Sequence, residues 1–311
     1  MRFWSKTARL MLTLAMAMAL VLPVGPAGAA EGQVGFARID ILAVNDFHGA
    51  LVEAGKNPGA AKLGGYLLAE KAKNPGGTLI LSAGDMFQGT PDYNMGYGKA
   101  VVRVMNAIGF DAMVLGNHEF DWGLDQLKAR IGESKFPYLA ANIIDNNTGK
   151  PVDFVQPTVM IEKNGVKIGI IGIVTPETAY TTSPQAVSGF TFGDPATVVN
   201  ALAPALRQQG AQVIVVLAHL ASDMDKSGEV TGDAADLARA ASGVDVIISA
   251  HSHKKVAGIV NGVAIVQGSY NGRNVGKVGL VYAKAEGRVV AKIVDAGDLV
   301  PASLTNALVE D

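Results

Sequence analysis

The positions of the five histidines constrain this chain more than any other feature of its sequence. Each follows the end of an apolar segment within a few residues, at His48, His118, His219, His251 and His253. Chance would scatter histidines over helices and surface loops. In an α/β protein, the carboxyl ends of parallel strands lie at one edge of the sheet, where binding sites form. The sequence therefore predicts an α/β fold in which these side chains meet in one cleft.

The segment 114–123, which reads V-L-G-N-H-E-F-D-W-G, shows this pattern in its strongest form. Taken alone, it is also compatible with a simple turn and a helix N-cap. We predict that Asn117 binds a metal through its side-chain oxygen, that His118 faces the substrate and that Asp121 orients His118. Glu119 is either a residue that supports the metal ligands from behind or simply an acid at the start of a helix, where acids are favourable without any catalytic role.

Apolar strands and amphipathic helices alternate along most of the chain. Asn164 and Gly165 predict a type I′ hairpin turn, Gly109 predicts a helix C-cap, and the Thr, Ser, Pro and Gly content of 175–193 predicts a loop. The predicted strands are 37–44, 79–81, 112–115, 138–142, 158–161, 166–174, 213–217, 244–249, 264–267, 277–283 and 289–293, and the predicted helices are 61–73, 99–108, 124–131, 195–209 and 233–241.

The amino terminus has the pattern of an export signal. Basic residues precede an apolar segment at 10–22, and small residues at 27–29 match a cleavage site. We predict a cleaved signal peptide at 1–29 and a mature domain at 30–311 in the periplasm, at the cell surface or outside the cell. An uncleaved anchor is the alternative. No other segment is long and apolar enough to span a membrane.

The composition narrows the chemistry of the site. The chain has no Cys, which excludes disulfides, thiolate metal sites and thiol nucleophiles. Its net charge of −2 gives no reason to expect a nucleic-acid polymer or an anionic membrane surface as partner. Any metal must therefore be held by His, Asp, Asn or Glu.

The polar residues after the strands are numerous enough to hold two metals. Seven ligands exceed what one tetrahedral ion takes, and they fit two ions that share a bridging carboxylate. Mixed nitrogen and oxygen ligands suit Zn, Mn, Fe or Co and do not choose among them. The candidate ligands are Asp46, His48, Asp85, Asn117, His219, His251 and His253.

Four longer strings carry a resemblance to a known family. They are N-D-F-H-G at 45–49, S-A-G-D at 82–85, G-N-H-E-F-D-W-G at 116–123 and A-H-S-H at 250–253. Together with His219 they resemble the calcineurin-like metallophosphoesterases, and among these the 5′-nucleotidase branch, over about residues 37–285. The resemblance implies a four-layer sandwich, in which two mixed β-sheets are flanked by helices.

The resemblance also implies a role for each candidate residue. Asp46, His48, Asp85 and His253 would hold one metal, and Asp85, Asn117, His219 and His251 the other, with Asp85 bridging. His118 and Asp121 match the catalytic pair of the family. The implied reaction is hydrolysis of phosphate monoesters, above all nucleoside 5′-monophosphates or related nucleotides, by a hydroxide between the two metals. A 2′,3′-cyclic-nucleotide phosphodiesterase, a nucleotide-sugar pyrophosphatase and a non-catalytic, metal-stabilised surface or binding module are the alternatives.

The chain departs from the family pattern in two places. Ala250 stands where the family usually has Gly, a change small enough to leave the site intact. The chain ends at Asp311, near the point where 5′-nucleotidases continue into a second, nucleotide-recognition domain, so we expect that domain to be missing or separate. The loop 267–273 resembles a family loop near the site, and it predicts either a turn or a contact of Asn271 or Arg273 with phosphate.

Overall fold

A computed structural model describes residues 35–297 with the exception of Thr90. The predicted signal at 1–29 lies outside these residues, as does the end of the chain after residue 297. The described part is an α/β structure with two six-stranded mixed sheets and two small sheets. None of its helices is both long and apolar enough to cross a membrane.

The strands follow each other along the chain with helices between most of them. In chain order they are β1 (Phe36–Val44), β2 (Thr78–Ser82), β3 (Ala112–Val114), β4 (Tyr138–Leu139), β5 (Ile143–Asp145), β6 (Lys150–Pro151), β7 (Thr158–Lys163), β8 (Val166–Val174), β9 (Phe190–Phe192), β10 (Val213–His219), β11 (Asp223–Met224), β12 (Val230–Thr231), β13 (Val246–Ile248), β14 (Lys255–Val260), β15 (Val263–Gly268), β16 (Gly276–Ala283) and β17 (Arg288–Asp295).

The helices range from one turn to four turns. They are α1 (Gly59–Ala72), α2 (Pro91–Asn94), α3 (Lys99–Ile108), α4 (Leu124–Glu133), α5 (Thr178–Thr181), α6 (Pro184–Val187), α7 (Pro195–Gln208) and α8 (Asp233–Ala240), with a 3₁₀ turn at His118–Phe120.

Each large sheet contains four neighbouring parallel strands, which are flanked by antiparallel strands on one side in the first sheet and on both sides in the second. The first sheet has the order β17-β16-β1-β2-β3-β4, in which β1 to β4 run parallel. The second has the order β14-β15-β13-β10-β8-β7, in which β15, β13, β10 and β8 run parallel. The carboxyl ends of both sets of parallel strands therefore supply the loops that form the site.

The second sheet is buried on both faces, as its continuous apolar strands require. Along β10, Val213, Val215 and Leu217 belong to the core that the two large sheets share. The alternating residues Ile214 and Val216 belong to a second core together with α7 and α8. Helices α1 and α3 contribute to the first core beside the first sheet. The predicted sandwich with helices on its outer faces is thus confirmed.

The two sheets approach each other so closely at one point that only glycine fits there. A Cβ atom added to Gly172 in β8 would lie 2.4 Å from the Cβ of Leu139 in β4. The backbone of Ala141 donates to the carbonyl of Gly172 at 2.8 Å. This contact ties the end of β4 to the centre of the second sheet.

Most predicted elements are present, and their bounds differ by only a few residues. The Asn164–Gly165 turn has two left-handed residues, with φ of 48° and 71°, as a type I′ turn requires. Gly109 has φ of 78° at the C-cap of α3, as predicted. The predicted strand at 138–142 was wrong in its extent, since β4 ends at Leu139 and a separate strand, β5, begins at Ile143.

Two further predictions were wrong. The segment 175–193 is not a plain loop, because it contains α5, α6 and β9. Its turn-forming composition concealed these short elements, which depend on contacts made elsewhere in the fold. The candidate site residues also do not share the edge of one sheet. They follow strands of two sheets, and the packing of the two sheets brings them together.

Candidate metal centre

The strand ends of the two large sheets meet through backbone and side-chain contacts. The backbone N–H of His251, which follows β13, donates to both carboxylate oxygens of Asp46, which follows β1, at 3.1 Å. Nε2 of His48 lies 3.0 Å from Nε2 of His253. The five histidines, predicted from their shared position after strands, therefore lie around one common centre.

The seven candidate ligands form two groups that differ in depth. We call Asp85, Asn117, His219 and His251 the inner group, and Asp46, His48 and His253 the outer group. In each group, the histidine nitrogens and carboxylate oxygens lie within 4.8 Å of one another. Asn117 belongs to the inner group because its Oδ1 lies 3.1 Å from Nε2 of His219.

Hydrogen bonds fix the orientation of the inner ligands. Nδ1 of His219 lies 2.7 Å from the carbonyl of Ala83 and must donate to it, so Nε2 carries the lone pair of the neutral ring. That lone pair faces two further acceptors, Oδ1 of Asn117 at 3.1 Å and Oδ2 of Asp85 at 3.2 Å. Three buried acceptors that face one another fit a cation at their centre.

In the outer group, too, a backbone carbonyl fixes the tautomer of one histidine. Nδ1 of His48 donates to the carbonyl of Gln88 at 2.8 Å, so its Nε2 lone pair faces Nε2 of His253. Oδ1 of Asp46 lies 3.5 Å from the same nitrogen of His253. The donor set, two imidazoles and one carboxylate, again fits a divalent cation of the first transition row.

The charges of the inner group are strongly coupled. Burial is the largest single effect and would raise the pKa of Asp85, but His219, His118 and His48 together outweigh it and hold that pKa below its usual value. Burial opposes the charged form of His219, and the carboxylate of Asp85 overcomes it and raises the His219 pKa to about 9. In the outer group, burial lowers the pKa of His48. A cation at the inner group therefore competes with a proton on His219.

His118 and Asp121 form a pair beside the ligands. Nδ1 of His118 lies 2.7 Å from Oδ2 of Asp121. This hydrogen bond is the largest cause that raises the pKa of His118 to about 9, against the opposing effect of burial. The His118 ring lies 5.3 Å from the ring of His48, centroid to centroid. The pair therefore presents a protonated imidazole next to the outer group.

Glu119 is buried and supports the site, which was one of the two interpretations of this residue from the sequence. Its carboxylate accepts backbone N–H groups from Asp85 and Met86 at 2.8 Å and from Gly116 at 2.7 Å. Burial, aided by the charge of Asp85, raises the pKa of Glu119 to about 7, while the three donors oppose that shift. Glu119 thus ties the loop after β2 to the loop after β3.

The loops that carry the ligands have an unusual backbone. Five of the seven candidate ligands are non-glycine residues in the left-handed region, where side chains strain the backbone. Their φ angles are 47° for Asp46, 50° for His48, 55° for Asp85, 70° for His251 and 59° for His253. Strain of this kind persists only where surrounding contacts enforce it.

Gly116 is required by a close approach to Asp85. A Cβ atom at residue 116 would lie 2.1 Å from Oδ1 of Asp85. The same oxygen accepts the backbone N–H of His118 at 2.9 Å. Any side chain at 116 would therefore displace the carboxylate that lies next to His219.

The loop 267–273 forms part of the outer wall of the site. The ring of Tyr270 stacks on His253 with centroids 5.1 Å apart and an angle of 19° between planes. The guanidinium of Arg273 lies 4.1 Å from the Tyr270 centroid and donates to Asn57 at 2.7 Å. Asn271 adopts a left-handed turn conformation. Of the two predicted roles, the structure supports the turn.

Three residues that contact the site were missed in the sequence, namely Glu177, Thr182 and Tyr270. Glu177 contacts His251, Thr182 contacts Asp121 and Tyr270 stacks on His253. Glu177 and Tyr270 each lie a few residues after a strand, so the positional signal that located the ligands was present for them and was overlooked, whereas Thr182 lies farther from a strand and carried no such signal.

The fold and the paired ligand groups define a class of protein, namely a four-layer α/β sandwich with a candidate two-metal centre at its strand ends. The sequence matches the family model of the calcineurin-like phosphoesterases over residues 39–255. The chain belongs to this family, and the family resemblance found in its motifs is confirmed.

Individual proteins show the same relationship. Endonuclease YhcR of Bacillus subtilis is 34% identical over 277 residues, which are 81% of this chain and 22% of that protein. A 5′-nucleotidase of Vibrio vulnificus is 31% identical over 295 residues, 86% of this chain and 52% of that protein. The crystal structure of the calcineurin-like phosphoesterase YfkN from Bacillus subtilis superposes with a TM-score of 0.75 at 28% identity, covering 87% of this chain and 93% of that one. This chain spans about a fifth of the first relative and half of the second.

Proposed function

We propose that this chain hydrolyses phosphate monoesters, with nucleoside 5′-monophosphates or related nucleotides as substrates, and that it does so with two divalent cations. The observation that carries the proposal is the pair of ligand groups with the His118–Asp121 pair beside them. Metal binding alone requires no such pair. The arrangement therefore favours a catalyst over a metal-stabilised binding module.

We assign the inner and outer groups to one cation each, with the carboxylate of Asp85 shared between them. Two cations bound there would neutralise phosphate charge and make water nucleophilic near neutral pH. The zinc, manganese, iron and cobalt ions all suit these ligands. The neutral tautomers of His48 and His219 are already set by their carbonyl partners, so these ligands need little reorganisation.

The remaining residues act on the substrate. Protonated His118 would donate through Nε2 to a phosphate oxygen or to the leaving oxygen, because Nδ1 is engaged by Asp121. Asp121 keeps the ring oriented and charged. Glu119 keeps the loops of Asp85 and His118 in register through its three backbone contacts.

The relatives support the choice of nucleotides. One is named a 5′-nucleotidase, and it aligns over most of this chain. A relative from Listeria monocytogenes is named a cell wall protein, which supports the export predicted for this chain from residues 1–29. The domain division into a signal at 1–29 and a catalytic domain at 30–311, with substrate-recognition machinery on a separate or missing domain, remains part of the proposal.

The test is a substrate panel on the purified protein with metal analysis of the same sample. We expect about two bound ions per chain and hydrolysis of para-nitrophenyl phosphate and AMP when Mn²⁺ or Zn²⁺ is added. Faster hydrolysis of the bis ester or of a cyclic nucleotide would point to a phosphodiesterase instead, and cleavage of a nucleotide sugar to a pyrophosphatase.

The His118→Asn variant separates catalysis from metal binding. We expect both ions to remain and kcat to fall by about 10²–10⁴-fold, the usual contribution of a positioned acid. Full activity in this variant, or an inactive native protein that binds both ions, would refute the proposed role.

A further inference from the structure

The one-turn helix α5 and its flanking residues touch the candidate metal centre at three points. The segment runs from Glu177 to Thr182, and we call it the strap. It contacts His251 and Asn117 of the inner group, and it also contacts Asp121. These three partners follow β13 of the second sheet and β3 of the first sheet, so the strap spans both halves of the site.

The first contact sets the orientation of His251. Oε2 of Glu177 lies 3.0 Å from Nε2 of His251. A carboxylate only accepts hydrogen bonds, so Nε2 carries the proton and Nδ1 is left with the lone pair. His251 would therefore bind a cation through Nδ1, whereas His48 and His219 donate through Nδ1 and offer Nε2.

The other two contacts act on Asn117 and Asp121. Nδ2 of Asn117 donates to the carbonyl of Thr181 at 3.2 Å, which turns Oδ1 toward His219. The hydroxyl of Thr182 donates to Oδ1 of Asp121 at 2.7 Å, while Oδ2 of Asp121 faces His118. Each contact leaves the opposite end of the side chain directed into the centre.

The core does not account for these side chains. A four-residue helix is too short to be stable by itself. The side chain of Glu177 is 44% exposed and buries little apolar surface. Within residues 35–297, the carboxylate of Glu177 forms hydrogen bonds with His251 and the phenol of Tyr180. Hydrogen bonds to the site are therefore the clearest reason for a carboxylate at this position.

We propose that the strap is a positioning element of the metal centre, in which Glu177 selects the ligating nitrogen of His251 and Thr182 orients Asp121. The inference rests on the proposed function. It assigns separate tasks to its two ends, because Glu177 acts on metal binding and Thr182 acts on the pair that serves catalysis.

The Glu177 end is tested by metal titration of the metal-free protein, without any substrate. We expect Glu177→Ala to weaken binding at one of the two sites by about 10–100-fold, the usual effect of losing a carboxylate partner of a metal-binding histidine. Glu177→Gln should retain most of the affinity, because its amide oxygen can still accept from Nε2.

Asp236→Asn is the matched control. Asp236 and Glu177 line one surface cavity together with residues such as Pro195 and Leu237, but the carboxylate of Asp236 pairs with Arg239 and not with His251. Native affinity in Glu177→Ala would overturn the assignment. A loss in Asp236→Asn as large as that in Glu177→Ala would also overturn it, because it would indicate a general effect of charge. Circular dichroism melting curves identify any variant that fails to fold.

The Thr182 end is tested by kinetics at full metal occupancy. We expect Thr182→Val to lower kcat several-fold with KM and metal content unchanged, with a larger loss for phenyl phosphate than for para-nitrophenyl phosphate. Thr182→Ser should restore the native rate. Thr191→Val is the control, because Thr191 donates to Asn146 and not to the site. No loss of kcat in Thr182→Val, or an equal loss in Thr191→Val, would refute this role.

The metal titration and the kinetic experiment also distinguish a failure of this inference from a failure of the proposed function. If the native protein binds two ions and hydrolyses no ester, the proposed function fails, while the titration of Glu177 variants still decides the strap's role in metal binding. If the native protein is active, but the Glu177 variants keep their metal affinity and the Thr182 variants keep their kcat, the inference alone is refuted.

Discussion

The inner and outer ligand groups differ in how the protein holds them. In the inner group, the side chains of Asp85 and His219 are 2% and 0% exposed, and His251 is 18% exposed. In the outer group, Asp46 is buried and His48 is partly buried, whereas His253 is 41% exposed. Hydrogen bonds fix the inner rings, whereas His253 is held by a stacked tyrosine and by its neighbours Asp46 and His48.

This difference shows how one centre can combine a site whose rings are fixed by hydrogen bonds with a site that includes a less constrained ring. Directed hydrogen bonds fix both the tautomer and the plane of a ring, whereas stacking fixes its plane and allows it to slide. We therefore expect the inner ion to be retained and the outer ion to exchange with solution. The predictions below test this contrast.

The largest effect is expected for Asp85, because the inner and outer groups are proposed to share it and should therefore respond alike. Asp85→Asn removes the charge that both groups are proposed to share, so both ions should be lost together. Elemental analysis should show far fewer than two ions per chain, and kcat should fall by at least about 10²–10³-fold, as when one key electrostatic contact is lost. An unchanged metal-to-protein ratio would contradict a shared carboxylate.

A pair of histidine variants should separate the groups. His219→Ala removes a buried inner ligand, so activity should be lost and excess metal should not restore it. His253→Ala removes an exposed outer ligand, so one ion should remain and millimolar Mn²⁺ should recover much of the rate. Activity assays across a metal titration measure both effects. Equal recovery in the two variants would refute the inner–outer distinction.

A smaller effect is expected at the pair beside the outer group. His118 acts in its protonated form, so the rate should fall as pH rises through its pKa. Asp121→Asn removes the largest cause of the raised His118 pKa. The alkaline limb of kcat/KM should therefore move to lower pH by about one unit or more, with metal content unchanged. If the alkaline limb does not move in Asp121→Asn, it reports the titration of a group other than His118.

The smallest effect concerns protons released when metal binds. At pH 7.5 the metal-free inner group should carry a proton on His219, because its pKa is raised to about 9. Burial lowers the pKa of His48, so the outer group should release none from that ring. Calorimetry in buffers of different ionisation enthalpy should show the release of about one proton, linked to the inner site. Equal proton release at both sites would contradict the contrast.

The candidate ligands could be located in the sequence because each lies at or just after the end of an apolar strand, with Asp46 and His48 sharing one strand and His251 and His253 another. A residue such as His219 is located by the apolar strand before it, and Asn117 by the strand that ends just ahead of it. Periodicity, caps and turns encode these local relations. The same local signals predicted the hairpin turn at Asn164–Gly165 and the C-cap at Gly109, both of which the structure contains.

The sequence was less informative where contacts join distant residues. Glu177 meets His251 across 74 positions, and Thr182 meets Asp121 across 61. No local pattern could indicate these pairs. The same reason explains why 175–193 was predicted as a loop, since short helices there depend on their contacts and not on their own propensity.

The sequence by itself determined which chemical groups the site contains, because ligand-capable side chains follow apolar strands within a few residues. Only the tertiary structure decided that these groups come from two packed sheets, that His253 alone among the seven candidate ligands is exposed, and that Glu119, Glu177 and Tyr270 contact them. The physical reason is that strands form from local patterns, whereas the orientation of a ligand depends on atoms that packing alone brings within hydrogen-bond distance.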